Sequence, residues 1–297
     1  MTDLFLVTGA SGHFGRLVLG HLTTALGIAP SRIVAGTRDP AKLADWAAKG
    51  VQVRALDFDD AGTLAPAFAG VGRTLLISTD ALDRPGRRLA QHKAAIAGLE
   101  AAGVGHVVYI SAPKPENSPL LLAPDHEGTE KALAASALPG WTVLRNHWYF
   151  ENLFAFLPPA IASGNWYTAD EGQGSADIAR DDLAFAAATV LARSEGGRAT
   201  YTLSGPQALT KAEIARAVSA VLGKPITVVP VPLEGLVQGM IQAGLPEPLA
   251  RVFASFDSNT AAGRVAEVTD DFLRLTGRQP RPFAQWLAAN APALAAL

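Results

Sequence analysis

The chain has 297 residues, 49% of them hydrophobic and 18% charged, which is ample for a large core in one domain or a domain with a smaller lobe. A net charge of -2 argues against general affinity for nucleic acid or an anionic membrane, and no apolar run approaches the ~20 residues needed to cross a bilayer. There is no cysteine, so disulfides, thiol nucleophiles and cysteine-ligated metals are excluded; with no basic-then-apolar leader at the start, a cytoplasmic protein is expected.

The chain opens on a short apolar run, Leu4-Phe5-Leu6-Val7, followed by Thr8-Gly9-Ala10-Ser11-Gly12-His13-Phe14-Gly15 and an amphipathic segment over 16–26. This reads as strand, tight turn and helix. Gly9 takes a positive φ at no steric cost, Gly12 lets a diphosphate approach the backbone at a helix N-terminus, and Gly15 lets the helix lie close on the strand. The spacing is G-x-x-G-x-x-G, and its place between strand and helix is that of a dinucleotide-binding loop. The intervening Ser11, His13 and Phe14 belong to the same candidate loop.

Further strands are expected over 32–38, 51–58, 74–79, 106–111 and 141–145. Helices alternate with them over 40–49, after Asp59 or Asp60, over 87–102 and over 124–137. Asp39 and Pro40 supply the N-cap and first residue of one of these helices. This rhythm means a doubly wound parallel α/β sheet with right-handed crossovers, a Rossmann sheet. The second half is less regular: short strands over 165–168, 176–179, 199–204 and 226–231, helices over 181–192 and, capped by Thr210, to 222, then helices broken by Gly and Pro. The expected organisation is a dinucleotide-binding domain over 1–150, its sheet completed by about 173–205, and a smaller mixed lobe, partly interleaved, over 151–297 that covers the substrate.

Ligands of such sheets bind outside the carboxyl ends of the strands. Arg38 ends the second strand, where an NAD-binding protein usually carries Asp or Glu; a guanidinium there suits a ribose 2′-phosphate, with Lys42 as a second positive charge. Asp39 is accounted for as the helix cap. Asp57 and Phe58 end the third strand, where they hold adenine or, for Asp57, cap the next helix. Ile77, Ser78 and Thr79 end the fourth strand, Ser111 the fifth and Asn146 the sixth.

Thr8-Gly9-x-x-Gly12-x-x-Gly15, Arg38, Ser118-Pro119-Leu120, Asp125-His126-Glu127-x-Thr129-Glu130-Lys131, the stretch from Leu144 to Asn152, and Tyr201-x-Leu203-Ser204-Gly205 together resemble the atypical short-chain dehydrogenases of the NmrA-like group. The likeness is greatest to the NADPH-dependent quinone oxidoreductase 2 subgroup, with triphenylmethane reductase a near relative, and it covers the chain to about Asp271. It implies NADPH as cofactor and a small aromatic or quinone-like substrate. No metal is expected, and a homodimer is the assembly to consider.

The chain departs from the wider superfamily in lacking Tyr-x-x-x-Lys: none of Tyr109, Tyr149, Tyr167 or Tyr201 has Lys four residues on. Alcohol oxidation through a tyrosinate is therefore not expected. Quinone reduction survives the loss, because the product oxygen is weakly basic, with a pKa of roughly 10 by analogy with a phenol. Asn146 and Tyr149 are the candidates for orienting the nicotinamide and the acceptor oxygen. His126 is either a donor at that end or a helix-surface residue paired with Glu130, one turn away. The rings of Trp148, Tyr149 and Phe150 either pack the core or line an acceptor pocket. A non-catalytic NADP sensor and a reductase of triphenylmethane or azo dyes, carbonyls or imines are the competing readings.

Overall fold

The computed structural model describes residues 4–193 and 196–296. The first half alternates strands and helices: β1 (Leu4–Val7), α1 (His13–Gly20), β2 (Ile33–Thr37), α2 (Ala44–Ala47), β3 (Gln52–Ala55), α3 (Ala61–Phe68), β4 (Val71–Leu76), α4 (Arg87–Ala101), β5 (His106–Ser111), α5 (Ala123–Ala135) and β6 (Gly140–Asn146). Then come α6 (Leu153–Ser163), β7 (Asn165–Thr168), α7 (Arg180–Arg193), β8 (Gly197–Leu203), α8 (Lys211–Leu222), β9 (Thr227–Pro230), α9 (Leu233–Gln242), α10 (Glu247–Ala261), α11 (Asp271–Thr276) and α12 (Phe283–Ala295). Seven strands form one sheet in the order β3-β2-β1-β4-β5-β6-β8, and β1 to β6 pair in parallel. The order reverses beside β1, which makes the end of that strand the switch point of a doubly wound sheet.

The residues fall into two compact units, one of 1–112, 125–145 and 183–201, the other of 113–124, 146–182 and 202–297. In the first, Leu6, Val34, Leu76, Val107 and Tyr109 from the strands pack with Phe68 of α3 and Leu99 of α4. The central strands are buried on both faces, β2 and β5 completely, hence the unbroken apolar run Val107-Val108-Tyr109-Ile110. In the second, Phe150, Leu157, Trp166, Phe283 and Trp286 form a separate core, and β7 pairs in parallel with β9.

Several local expectations change. β3 stops at Ala55 and β4 runs over 71–76 rather than 74–79, so Asp57, Phe58, Ile77, Ser78 and Thr79 follow their strands instead of ending them. The first helix begins at His13 rather than Arg16 and passes into a π-helical turn over His21–Ala25, where the Thr23 and Thr24 hydroxyls donate to carbonyls one turn back. Residues 176–179 are not a strand: Ile178 makes an isolated bridge with Tyr149, and the neighbouring Ser175 makes another with Leu209. The residue pattern gives no helix over 153–163, where Pro158 and Pro159 remove two N–H donors; burial of Leu153, Leu157 and Ala160 forms α6 there nonetheless.

The turn after β1 fixes how the first unit is built. Gly9 has φ +57°, and a Cβ on Gly15 would lie 2.5 Å from the Gly9 carbonyl oxygen and 2.7 Å from the Ala10 Cα. Both are backbone atoms, so nothing flexible yields. Gly15→Ala is expected to cost roughly 1–3 kcal/mol, the range for overpacking, read as a lowered midpoint in urea or thermal unfolding.

Candidate functional site

The first unit holds a cavity of about 300 Å³ at the carboxyl ends of β1, β2 and β4. Gly9, Ser11, Gly12, His13, Phe14 and Gly15 line one side; Arg38, Asp57, Phe58, Ile77, Ser78 and Thr79 line the rest. Sequence reasoning missed Thr37, Leu56, Asp80 and Gln91, which also line it. Thr37 was within reach, since the strand carrying Arg38 must present it one residue earlier; Gln91 was not, because α4 lies far along the chain. Backbone geometry holds the walls in register: Thr8 N–H donates to Leu75 O, Ala10 N–H to Gly36 O, and Ile77 N–H to the Thr8 hydroxyl at 2.9 Å.

Arg38 is exposed at this cavity, 3.5 Å from Asp80, a solvent-screened pair worth little. The Asp39 carboxylate accepts from Ala41 N–H, as a helix cap, so it does not answer Arg38. Lys42 is exposed and does not line the cavity; its carbonyl accepts from the Arg16 guanidinium. Asp57 accepts from Asp59 N–H at 3.0 Å, and Asp60 caps α3 through Gly62 N–H.

Behind β4 lie two buried histidines. Thr79 N–H donates to His92 Nε2 at 3.1 Å, and His92 Nδ1–H donates to the Thr129 hydroxyl at 2.9 Å. The Arg88 guanidinium donates to His126 Nε2 at 3.1 Å, which leaves Nδ1–H to donate to the Tyr109 hydroxyl at 3.0 Å. Burial, and then the Arg88 charge, push His92 down to about 3 and hold His126 well below its ordinary value. Both rings are therefore neutral at pH 7. His126 is not a surface residue paired with Glu130. Glu130 instead accepts from the Ser111 hydroxyl at 2.6 Å and from two nitrogens of Arg145 at 3.1 and 2.6 Å. Neither His126 nor Ser111 lines the cavity.

The second unit has its own cavity, of about 120 Å³. Trp148, Tyr149, Phe156, Trp166, Phe253 and Phe256 wall it, and Asp170, Asp177, Asp257 and Lys211 supply its charge. Trp148 packs on Phe256 with ring centres 3.9 Å apart, Tyr149 stacks on Trp148 at 6.4 Å, and the Arg180 guanidinium lies 5.2 Å from the Tyr149 ring centre. Phe150 takes no part; it packs with Phe283 and Trp286 in the core. Asn146 is buried, and neither its amide oxygen nor its nitrogen has a partner among the described residues; the same is true of both ring nitrogens of His147. An unmatched buried amide costs about 1–3 kcal/mol, so a ligand that pairs with it is the natural explanation.

The glycine turn and the open space at a strand-to-helix junction fit a dinucleotide. Residues 9–194 match the NAD(P)H-binding family. The chain belongs to that family. This member is 33% identical to quinone oxidoreductase 2 of Escherichia coli (strain K12) over 282 residues, 95% of this chain and 96% of that protein. It is 30% identical to the NAD(P)H azoreductase of Xenophilus azovorans over 298 residues, 99% of this chain and all of that one. Among solved structures, the E. coli NADPH-dependent quinone oxidoreductase complexed with NADPH superposes with a TM-score of 0.90 at 33% identity, covering 96% of this chain and 99% of that one. Triphenylmethane reductase of Citrobacter sp. complexed with NADP(H) gives 0.88 at 32% identity, over 96% and 99%. The family member described here is an NAD(P)H-dependent oxidoreductase with the doubly wound sheet of that family.

A guanidinium–phosphate contact is worth about 1.5–3 kcal/mol, the range for hydrogen bonds to charged groups. Arg38→Asp is therefore expected to weaken NADPH binding roughly 10- to 100-fold, by fluorescence titration, and to leave NADH binding far less affected. Equal losses would remove Arg38 from phosphate recognition.

Proposed function

We propose that this protein is an NADPH-dependent reductase that passes hydride to a quinone or a similar conjugated aromatic acceptor. One observation carries the reading: the same chain holds a glycine-turn cavity ending at Arg38 and, directly after the buried Asn146, an aromatic-walled cavity opening at Trp148 and Tyr149. Relatives are named quinone oxidoreductase, azoreductase and triphenylmethane reductase, and each name points to a conjugated or aromatic compound.

Gly9, Gly12 and the α1 N-terminus hold the diphosphate, Arg38 grips the 2′-phosphate, and Asp57, Phe58 and Gln91 frame the adenine. When bound, NADPH supplies the electron pair and one hydrogen as hydride. Asn146, whose buried amide has no partner among the described residues, would pair with the nicotinamide carboxamide. Trp148, Tyr149, Phe156 and Phe256 stack the acceptor and exclude water, which is positioning rather than chemistry. His126 we assign to holding the Tyr109 hydroxyl, since both of its nitrogens are already engaged. A cytoplasmic location and a homodimer complete the reading, to be checked by fractionation and light scattering.

The direct test is to follow NADPH absorbance in the presence of 1,4-benzoquinone. Saturable turnover with NADPH in preference to NADH is expected. No turnover with quinones, azo dyes, triarylmethyl dyes, carbonyls or imines, in a protein that still binds NADPH, would favour a redox sensor instead.

A further inference from the structure

Reduction of a quinone needs a proton as well as a hydride, and the chain has no Tyr-x-x-x-Lys pair to give one. The aromatic cavity of the second unit contains a carboxyl group placed for that task. Asp177 lines the cavity together with Trp148 and Tyr149, and part of its surface is open to it. Its only side-chain hydrogen-bond partner among the described residues is the Ser175 hydroxyl.

Three other charged groups face the same space. Lys211 at the start of α8 lies 2.5 Å from Asp257 of α10 and 3.7 Å from Asp170 after β7. The lysine also donates to the Thr168 hydroxyl at 2.8 Å. Its charge is thus engaged by two carboxylates, and among the described residues Asp177 has no ion-pair partner of its own. Burial dominates under these conditions and pushes the Asp177 carboxyl up to about 6, against a smaller opposing pull from Ser175 and Lys211. A flat apolar acceptor entering the cavity removes more water and acts in the same direction.

We propose that Asp177 is the general acid of the reductase, handing its carboxyl proton to the acceptor oxygen that becomes basic on two-electron reduction. This rests on the reductase reading above and adds the source of the proton. The balance is simple. One hydrogen reaches the quinone with the electron pair, NADPH being oxidised to NADP+; the other is the Asp177 proton. The carboxyl O–H bond breaks, an O–H bond forms on the hydroquinone, and the carboxylate regains its proton from water. Each turnover consumes one NADPH and one proton.

The test uses two acceptors that differ in this requirement. A quinone needs the proton, whereas a triarylmethyl cation takes hydride alone and is neutral afterwards. For Asp177→Asn, the ratio of kcat with benzoquinone to kcat with the cation is expected to fall about 10²-fold, the lower end of what a positioned acid contributes. Asp177→Glu should restore part of that ratio. A ratio unchanged in Asp177→Asn, whether both rates persist or both fall together, overturns the proposal. Wild-type protein that binds NADPH but reduces neither acceptor would instead overturn the reductase reading itself.

A second measurement does not depend on turnover or on the fold of a variant. In wild-type protein without cofactor, infrared difference spectra should show a buried carboxylic acid that ionises near pH 6. If every carboxyl of the wild type has ionised by pH 4.5, Asp177 is no acid at working pH and the proposal fails. The sign of the rate profile follows: the acid form is lost as pH rises, so kcat for benzoquinone falls above about pH 6 while kcat for the cation does not follow it.

Discussion

The contact of α1 with the turn after β1 is the constraint on which the first unit depends. Helix and strand meet where Gly15 stands 2.5 Å, by its missing Cβ, from the Gly9 oxygen. Because no side chain intervenes, the helix N-terminus and its free N–H groups sit at the mouth of the cavity, where the dipole favours an anion. The registers of β1 with β2 and β4 then bring Arg38 and Ile77 to Thr79 to the same place. The cavity is thus a consequence of backbone packing. Side chains complete its lining: Arg38 brings charge, Phe58 a ring and Gln91 an amide, and His92 holds the Thr79 N–H.

The second unit solves a different problem. Its cavity combines rings with four ionisable groups, an arrangement that costs desolvation unless the charges pair. Lys211, Asp257 and Asp170 do pair, and they fix α8, α10 and the end of β7 around the opening. Elsewhere Glu151 accepts from Arg180 N–H and from the Trp286 indole, tying the segment after Asn146 to the core. This segment contributes Trp148 and Tyr149 to the cavity and Phe150 to the core, so three adjacent rings serve two purposes.

Much of the first unit was legible in the sequence because parallel strands buried on both faces leave a strong mark. Val107 to Ile110 admits hardly any other reading, and the bounds of β5 agree with its residue pattern. The glycine spacing, Arg38 and the Asp39 cap were legible for the same reason: each is a local device with a local signal. What escaped was non-local. Gln91 reaches the cavity only through the packing of α4, and the neutral state of His126 depends on its burial and on the Arg88 charge from α4. The helix across Pro158 and Pro159 was hidden because local propensity there opposes the burial that decides it. Lys211, Asp170, Asp177 and Asp257 form one site only after the fold brings four separate segments together.

The central claim is that the glycine-turn cavity holds a phosphorylated nicotinamide coenzyme. Calorimetric titration of the purified protein with NADPH, and separately with NADH, tests it most directly. The account predicts one NADPH per chain, with NADH at least tenfold weaker. Absence of binding by either coenzyme, or equal affinity for both, would contradict it.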